Sequence, residues 1–231
     1  MKILALDTST EACSAALCVD GECIERFEVV KQSHTDRILP MIEEVLSEGE
    51  VAINDIDYLA FGRGPGSFTG IRIGTGVVQG IALGADLLVA EVSTLAGIAQ
   101  GVYREHGHTH VMAAIDARME EIYWGCYQLN DLGYMELDGE EVVARSNDIL
   151  LPQGSSWYGA GSAWSAYGDE LKQHAKGLCS DIDGACLPHA QDIAKLAISK
   201  IEQGEVVSAE SVRPVYLRNQ VAWKKINQQN K

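Results

Sequence analysis

Ile3-Leu4-Ala5-Leu6-Asp7-Thr8-Ser9-Thr10 is echoed 109 residues later by Val111-Met112-Ala113-Ala114-Ile115-Asp116. Each apolar run is short, ends in an aspartate and reads as a buried strand. After the first, residues 12–20 and 22–30 read as two more strands. Asp20-Gly21 between them suits a type I′ hairpin turn, which needs positive φ at both positions. After the second, strands over 121–129 and to about residue 145 flank a turn at 130–133. A repeat this long is not a solenoid period. It predicts an α/β protein of two homologous lobes, 1–105 and 106–210, with 211–231 returning to the first lobe.

The chain has 231 residues and a formal net charge of −15, which argues against a chain-wide basic surface for nucleic acid. Residues 211–231 carry +5 (Arg213, Arg218, Lys224, Lys225, Lys231) and no acid, leaving −20 on the rest. Such a tail docks on its own body or reaches an anionic partner. The longest apolar region, 74–92, is broken by Gln79, Asp86 and Glu91, so no membrane span is expected. Met1-Lys2 precedes too short an apolar run for a signal peptide, and a cytoplasmic location is the expectation. The six cysteines are then expected to be reduced, with Cys18 and Cys23, opposed across the hairpin, as two packed thiols.

Ser33-His34-Thr35-Asp36 has the form of a capping box and opens a helix. Its Ile38, Leu39, Met41, Ile42, Val45 and Leu46 span roughly 160° of arc, more than one core requires, so part of this face is expected to meet another chain. Pro40 interrupts it. Residues 57–63 read as a strand, and Gly62-Arg63-Gly64-Pro65-Gly66-Ser67-Phe68-Thr69-Gly70 as a loop. Ser67 or Thr69 caps the next helix, which runs to about Ala85 and holds glycines in two stripes, 70/74 and 76/80/84. Each glycine costs about 1 kcal/mol against alanine, so the stripes predict close helix packing on two sides. A strand over 87–92 and a helix from Ser93 to about His106 follow. Further helices are expected at 162–174 and 189–203.

Candidate chemistry is sparse. Asp7, Thr8, Ser9 and Thr10 at a strand end, and Asp116 with Arg118 at the other, have the side chains to hold a phosphate or a hydrated Mg²⁺. A polar strand end serves equally well for the first, and an Arg118–carboxylate pair for the second. The 62–70 loop lacks the P-loop spacing and its lysine, and Gly-Ser-x-x-Gly is not a nucleophile elbow; a sharp structural turn is favoured over an anion cradle. His106, His108 and His110 alternate as metal ligands do, but read better as a linker.

The strand Ile3–Asp7 with Thr8-Ser9-Thr10, the stretch Gly64 to Gly74, Ile115-Asp116-Ala117-Arg118 and Pro214-Val215-Tyr216-Leu217-Arg218 together resemble the TsaB (YeaZ) family over essentially the whole chain. The resemblance implies two ribonuclease-H-like lobes of the actin/hexokinase-type ATPase fold. It implies a non-catalytic scaffold or regulatory subunit in making N6-threonylcarbamoyladenosine at position 37 of tRNAs that read codons beginning with A. Its partners would be TsaD, the paralogue that transfers the group, and the ATPase TsaE, with a homodimer when alone and tRNA met only through the complex. No cofactor is implied in isolation; ATP or ADP at the seam with TsaD is the candidate, with Asp7, Thr8, Ser9 and Asp116 as the binding positions. Where TsaD-like proteins carry a His-x-x-x-His metal pair, this chain has Ser93 and Gly97. Helices 34–48 and 70–85 would form the paired face, assigned here to His34, Ile38, Met41, Ile42, Val45, Gly70, Ile73, Gly74 and Val77. Ile38→Asp or Gly74→Leu would then break pairing and leave the lobes folded. The competing readings are a stand-alone metal- or nucleotide-dependent hydrolase or peptidase, and a homodimeric nucleotide sensor.

Overall fold

The computed structural model describes residues 1–30, 33–154 and 156–218. Lys224, Lys225 and Lys231 of the basic tail lie outside them. The first sheet is built from β1 (Lys2–Asp7), β2 (Ala12–Val19), β3 (Glu22–Val29), β4 (Tyr58–Gly62) and β5 (Leu88–Val92), in the order β3-β2-β1-β4-β5. Strands β1, β2 and β3 are antiparallel; β4 and β5 join in parallel. The second sheet repeats this plan with β6 (His110–Arg118), β7 (Glu121–Leu129), β8 (Met135–Ala144), β9 (Trp157–Ala160) and β10 (Cys179–Asp183), ordered β10-β9-β6-β7-β8. Thus β6 stands for β1, and Asp116 for Asp7. Strands β9 and β10 escaped the sequence reading. Trp157-Tyr158-Gly159-Ala160 is only four residues long and buried on both faces, so it shows no alternation.

The hairpin between β2 and β3 turns as expected, with φ of 51° at Asp20 and 95° at Gly21. The register places Cys18 opposite Cys23. The structure joins them as a disulfide, which corrects the expectation of two free thiols: directly opposed side chains in a hairpin project to the same face.

Helices α1 (His34–Glu48) and α2 (Phe68–Ala85) cover one face of the first sheet. Helix α3 (Thr94–His106) covers the second sheet, and α6 (Ala190–Glu202) covers the remaining face of the first. Helices α4 (Ser162–Ala166) and α5 (Gly168–His174) pack on the far side of the second sheet. They replace the single helix expected over 162–174; the break falls at Tyr167-Gly168, where glycine weakens helix propensity. The strands divide near residue 106, but the helices do not: α3 lies on the second half's sheet, and α6, inside the expected 106–210 lobe, lies on the first half's. The two pack on each other, and Arg104 of α3 clasps buried Asp192 of α6 through two 2.9 Å hydrogen bonds. The segment after α6 returns to the first lobe. Val207 bridges Val89 on the β5 edge, Val212 is buried in that core, and the Val215 amide donates to the Arg63 carbonyl.

Helix α1 starts at His34, but Ser33 does not cap it with its side chain. The Ser33 backbone, at φ −110° and ψ 21°, is not extended as a capping residue requires; its carbonyl accepts from the Asp36 and Arg37 amides instead. The apolar arc of α1 goes into the chain's own core. His34, Ile38, Met41, Ile42 and Val45 are buried and Leu46 packs beside them, leaving Leu39 exposed. In α2, Gly70 and Gly74 are also buried, and a Cβ on Gly74 would lie 2.7 Å from the Thr8 Oγ1. The assignment of His34, Ile38, Met41, Ile42, Val45, Gly70 and Gly74 to a partner face is therefore corrected: they hold the lobe together, and of that set only Ile73 and Val77 are partly open. Ile38→Asp is accordingly expected to unfold the protein rather than release a partner, because it buries an unpaired carboxylate. Urea denaturation checks this: Ile38→Ala should cost about 2–5 kcal/mol, and Ile38→Asp should show no folded baseline at neutral pH.

Candidate functional site

Two features stand out from the scaffold: a cleft between the sheets and an open helix face. The cleft, about 650 Å³, is lined by Ser9, Thr10, His34, Ser67 and Phe68 on one side and Asp116, Arg118, Tyr123, Ser162 and Arg218 on the other. It forms where β1 and β6 both end.

The β1 end is sealed. Asp7, Thr8 and Ser9 are at most 1% exposed. The Asp7 carboxylate accepts from the Ser9 amide (2.9 Å) and hydroxyl (2.8 Å). Thr94 Oγ1 donates to Ser9 Oγ, and Thr8 Oγ1 donates to the Gly70 carbonyl. The Ser67 amide donates to the Ser9 carbonyl at 2.6 Å, and a Cβ on Gly66 or Gly70 would collide with the Ser9 or Thr8 backbone. The 62–70 loop is thus the sharp turn expected, and its Ser67 hydroxyl caps α2 through the Gly70 amide. Of the sequence-derived binding positions, Ser9 and Asp116 reach the same cleft; Asp7 and Thr8 lie beneath its floor. Burial pushes the Asp7 carboxyl up from 3.8 to about 7, against the Ser9 hydrogen bonds that favour its charged form.

Asp116 differs although it holds the equivalent position. It accepts from the Arg118 amide at 2.8 Å and its guanidinium at 2.9 Å, and from the Tyr167 hydroxyl at 3.2 Å. This is the Arg118–carboxylate pair the spacing suggested. Arg118, Met119 and Glu120 all have φ near 60°, a tight turn that Arg218 pins by bonding Glu121 and the Arg118 carbonyl. Arg218 thus docks on the body through its side chain, whereas Arg213 does so through its amide, which donates to Glu91, its guanidinium bonding the Glu210 and Val212 carbonyls of its own segment.

Ser93 and Gly97 serve packing. The Ser93 hydroxyl caps α3 by accepting from the Leu95 and Ala96 amides and donates to Glu141. A Cβ on Gly97 would lie 2.7 Å from Ile193 Cδ1 of α6. His108 stacks on Tyr158 and His110 meets Trp157 edge-on. Among the described residues no group of three or more His, Cys, Asp or Glu could hold a metal ion.

The open face belongs to α2. Phe68, Arg72, Gly76, Gly80, Leu83 and Gly84 are exposed along one side, and a Cβ on Gly76, Gly80 or Gly84 would meet nothing within 4 Å. At its upper end the Arg72 guanidinium lies 3.7 Å over the Phe68 ring and donates to the Tyr216 hydroxyl. Sequence reasoning found both glycine stripes and placed a partner on Gly70 and Gly74, the stripe that the chain's own Thr8 and Leu6 cover. The Arg72 cluster was not foreseen, because residues 144 positions apart in the chain give no local signal.

A family model for TsaD, tRNA N6-adenosine threonylcarbamoyltransferase, matches residues 28–228. The tRNA threonylcarbamoyladenosine biosynthesis protein TsaB of Escherichia coli is 44% identical over 98% of both chains. The solved structure of YeaZ from Pseudomonas aeruginosa superposes with a TM-score of 0.88 at 47% identity, covering 94% of this chain and 99% of that one. A second Pseudomonas aeruginosa structure, 46% identical with the same TM-score and coverage, is described as similar to peptidase YeaZ.

The Asp7 environment sets a pH dependence. The folded state holds its proton from about pH 4 to 7 while the unfolded state has lost it, so this group's contribution to stability falls as pH rises through that window. Asp7→Asn, which carries no charge to bury, should gain on the wild type across pH 4–7, by up to roughly 4 kcal/mol, and hold a constant difference above it. Thermal melts of both proteins from pH 4 to 8 measure the gap; a gap that shrinks with rising pH contradicts the assignment.

Proposed function

The chain belongs to the TsaB family of tRNA threonylcarbamoyladenosine biosynthesis proteins, and from that footing we propose that it serves this biosynthesis as an accessory subunit that catalyses no step itself. It presents the exposed stripe of α2, with the neighbouring edge of α1, to TsaD, and to a second copy of itself when TsaD is absent. TsaE joins the assembly, and tRNA is met through the complex. ATP or ADP is taken at the seam with TsaD, where the Ser9–Asp116 cleft opens, rather than by the isolated chain. The reaction runs in the cytoplasm; among the described residues no helix is long and apolar enough to cross a membrane.

The observation that carries this reading is the uncovered stripe Gly76–Gly80–Gly84. Glycines in a helix interior cost stability, and here no segment of the described chain uses the room they leave. A second helix can approach such a stripe closely, as small-residue stripes allow elsewhere. Ile73, Val77 and Leu83 beside it supply apolar contact. Support for the accessory role comes from Ser93 and Gly97, neither of which supplies an imidazole ligand. A peptidase would need a nucleophile beside a base and open to substrate. The Asp7–Ser9–Thr94 hydroxyl chain is buried, and no histidine bonds to it.

Reconstitution of the modification tests the proposal: omission of this chain should abolish product, and its return should restore it. Gly76→Leu/Gly80→Leu should melt within a few degrees of wild type, since the added side chains meet open space. It should nonetheless sediment as a monomer, lose TsaD binding and fail to restore product. A variant that still pairs and restores product would remove the assigned face. Product formed by this chain without TsaD would remove the accessory role.

A further inference from the structure

The Cys18–Cys23 disulfide lies far in sequence from the α2 face and plays no part in the reading above. It spans a sequence separation of only 5, and the Asp20-Gly21 turn already brings the two residues together. A cross-link that closes so small a loop removes little freedom from the unfolded chain, so stapling the fold is a weak reason for it. Its two ends are unlike. Cys18 is 5% exposed and packs with α6 residues, whereas Cys23 is open to solvent. A cavity of about 420 Å³ runs along the pair, with Lys195, Gln191, Tyr103 and the mutually paired Arg104 and Asp192 in its wall, so that Lys195 is its uncompensated cation. Lys195 is exposed and lies 4.8 Å over the Tyr134 ring, with no acidic partner within ion-pair distance among the described residues.

The other four cysteines are poorly suited to exchange. Cys13 and Cys126 are buried, and burial pushes the Cys13, Cys126 and Cys186 thiols up to about 12. Burial raises Cys179 as well. Thiolate is the reactive form, and a cationic surrounding favours its approach.

We propose that Cys18–Cys23 is a reversible redox-modification site, opened by a small thiol bearing carboxylates that enters along Lys195 and attacks Cys23 Sγ. The incoming thiolate forms a bond to Cys23 Sγ as the Cys18–Cys23 bond breaks. The electron pair leaves on Cys18 Sγ, which takes a proton from solvent. A second thiolate attacks the small thiol's sulfur in the mixed disulfide and releases Cys23 as thiolate, which takes the second proton from solvent. Two small thiols are oxidised to their disulfide, and the protein pair gains two electrons and two protons. The reverse sequence, starting from the oxidised small disulfide, closes the pair again.

The test uses the full chain equilibrated in a series of reduced-to-oxidised glutathione ratios, quenched with acid, alkylated in denaturant and mapped by mass spectrometry. Six alkylated cysteines are expected at the reducing end and four at the oxidising end, with Cys18 and Cys23 the two protected. Cys18→Ser should take up one glutathionyl group, at Cys23, and Cys23→Ser should take up none at buried Cys18. Lys195→Glu should slow reduction by glutathione several-fold at low salt while leaving reduction by uncharged 2-mercaptoethanol unchanged. Six alkylated cysteines at every ratio, a pair that native protein never releases to glutathione, equal glutathionylation of the two serine variants, or a Lys195→Glu effect shared by both thiols would each overturn the proposal.

Discussion

The loop from Arg63 to Gly70 can settle onto the end of β1 only because glycines let its backbone touch the Thr8 and Ser9 backbone. That contact buries Asp7 among hydroxyls and amides and fixes where α2 begins. Once the start of α2 is fixed, the 100° turn per residue decides the rest. Gly70 and Gly74 face down onto Thr8 and Leu6, while Gly76, Gly80 and Gly84 face up into open space. One helix thus carries a packing stripe and a free stripe: residue spacing sets the angle between them, and the seating of residues 70 and 74 on β1 decides which one is covered.

The exchange of helices between the two halves has a comparable consequence. Since α3 covers the second sheet and α6 the first, neither half covers both faces of its own sheet. The pair is locked where Arg104 meets Asp192, a carboxylate 2% exposed and held above its ordinary range by burial even with the guanidinium beside it. Removing Arg104 would leave that carboxylate unpaired in the protein interior, a costly state. The strap after α6 adds a second tie. It crosses β5 and Arg63, then delivers Arg218 to the β6–β7 turn, joining the lobes on the side of the cleft.

The two strand ends differ in a way that matters for chemistry. Asp116 is answered by a guanidinium and sits at the cleft wall. Among the described residues Asp7 has no cation within hydrogen-bonding distance, and it is fully buried, so its hydrogen bonds organise the turn. The two halves share one strand order, and they differ in the side chains at these strand ends.

Much was written locally. The two apolar runs ending in Asp7 and Asp116, the Asp20-Gly21 turn and the Ser67 cap each depend on neighbours a few residues away, so the strands of the first sheet, the helices α1, α2, α3 and α6 and the twofold plan could be read directly from the chain. The spacing of the glycines likewise announced two close contacts on α2. Tertiary structure alone decided which stripe was covered, because that depends on β1 lying beneath residues 70 and 74, not on the helix period. It also sent Ile38, Met41, Ile42 and Val45 inward, placed α6 on the first sheet and brought Tyr216 to Arg72. Periodicity tells which residues share a face; what that face meets is settled by segments distant in sequence, whose arrival leaves no mark in the local pattern.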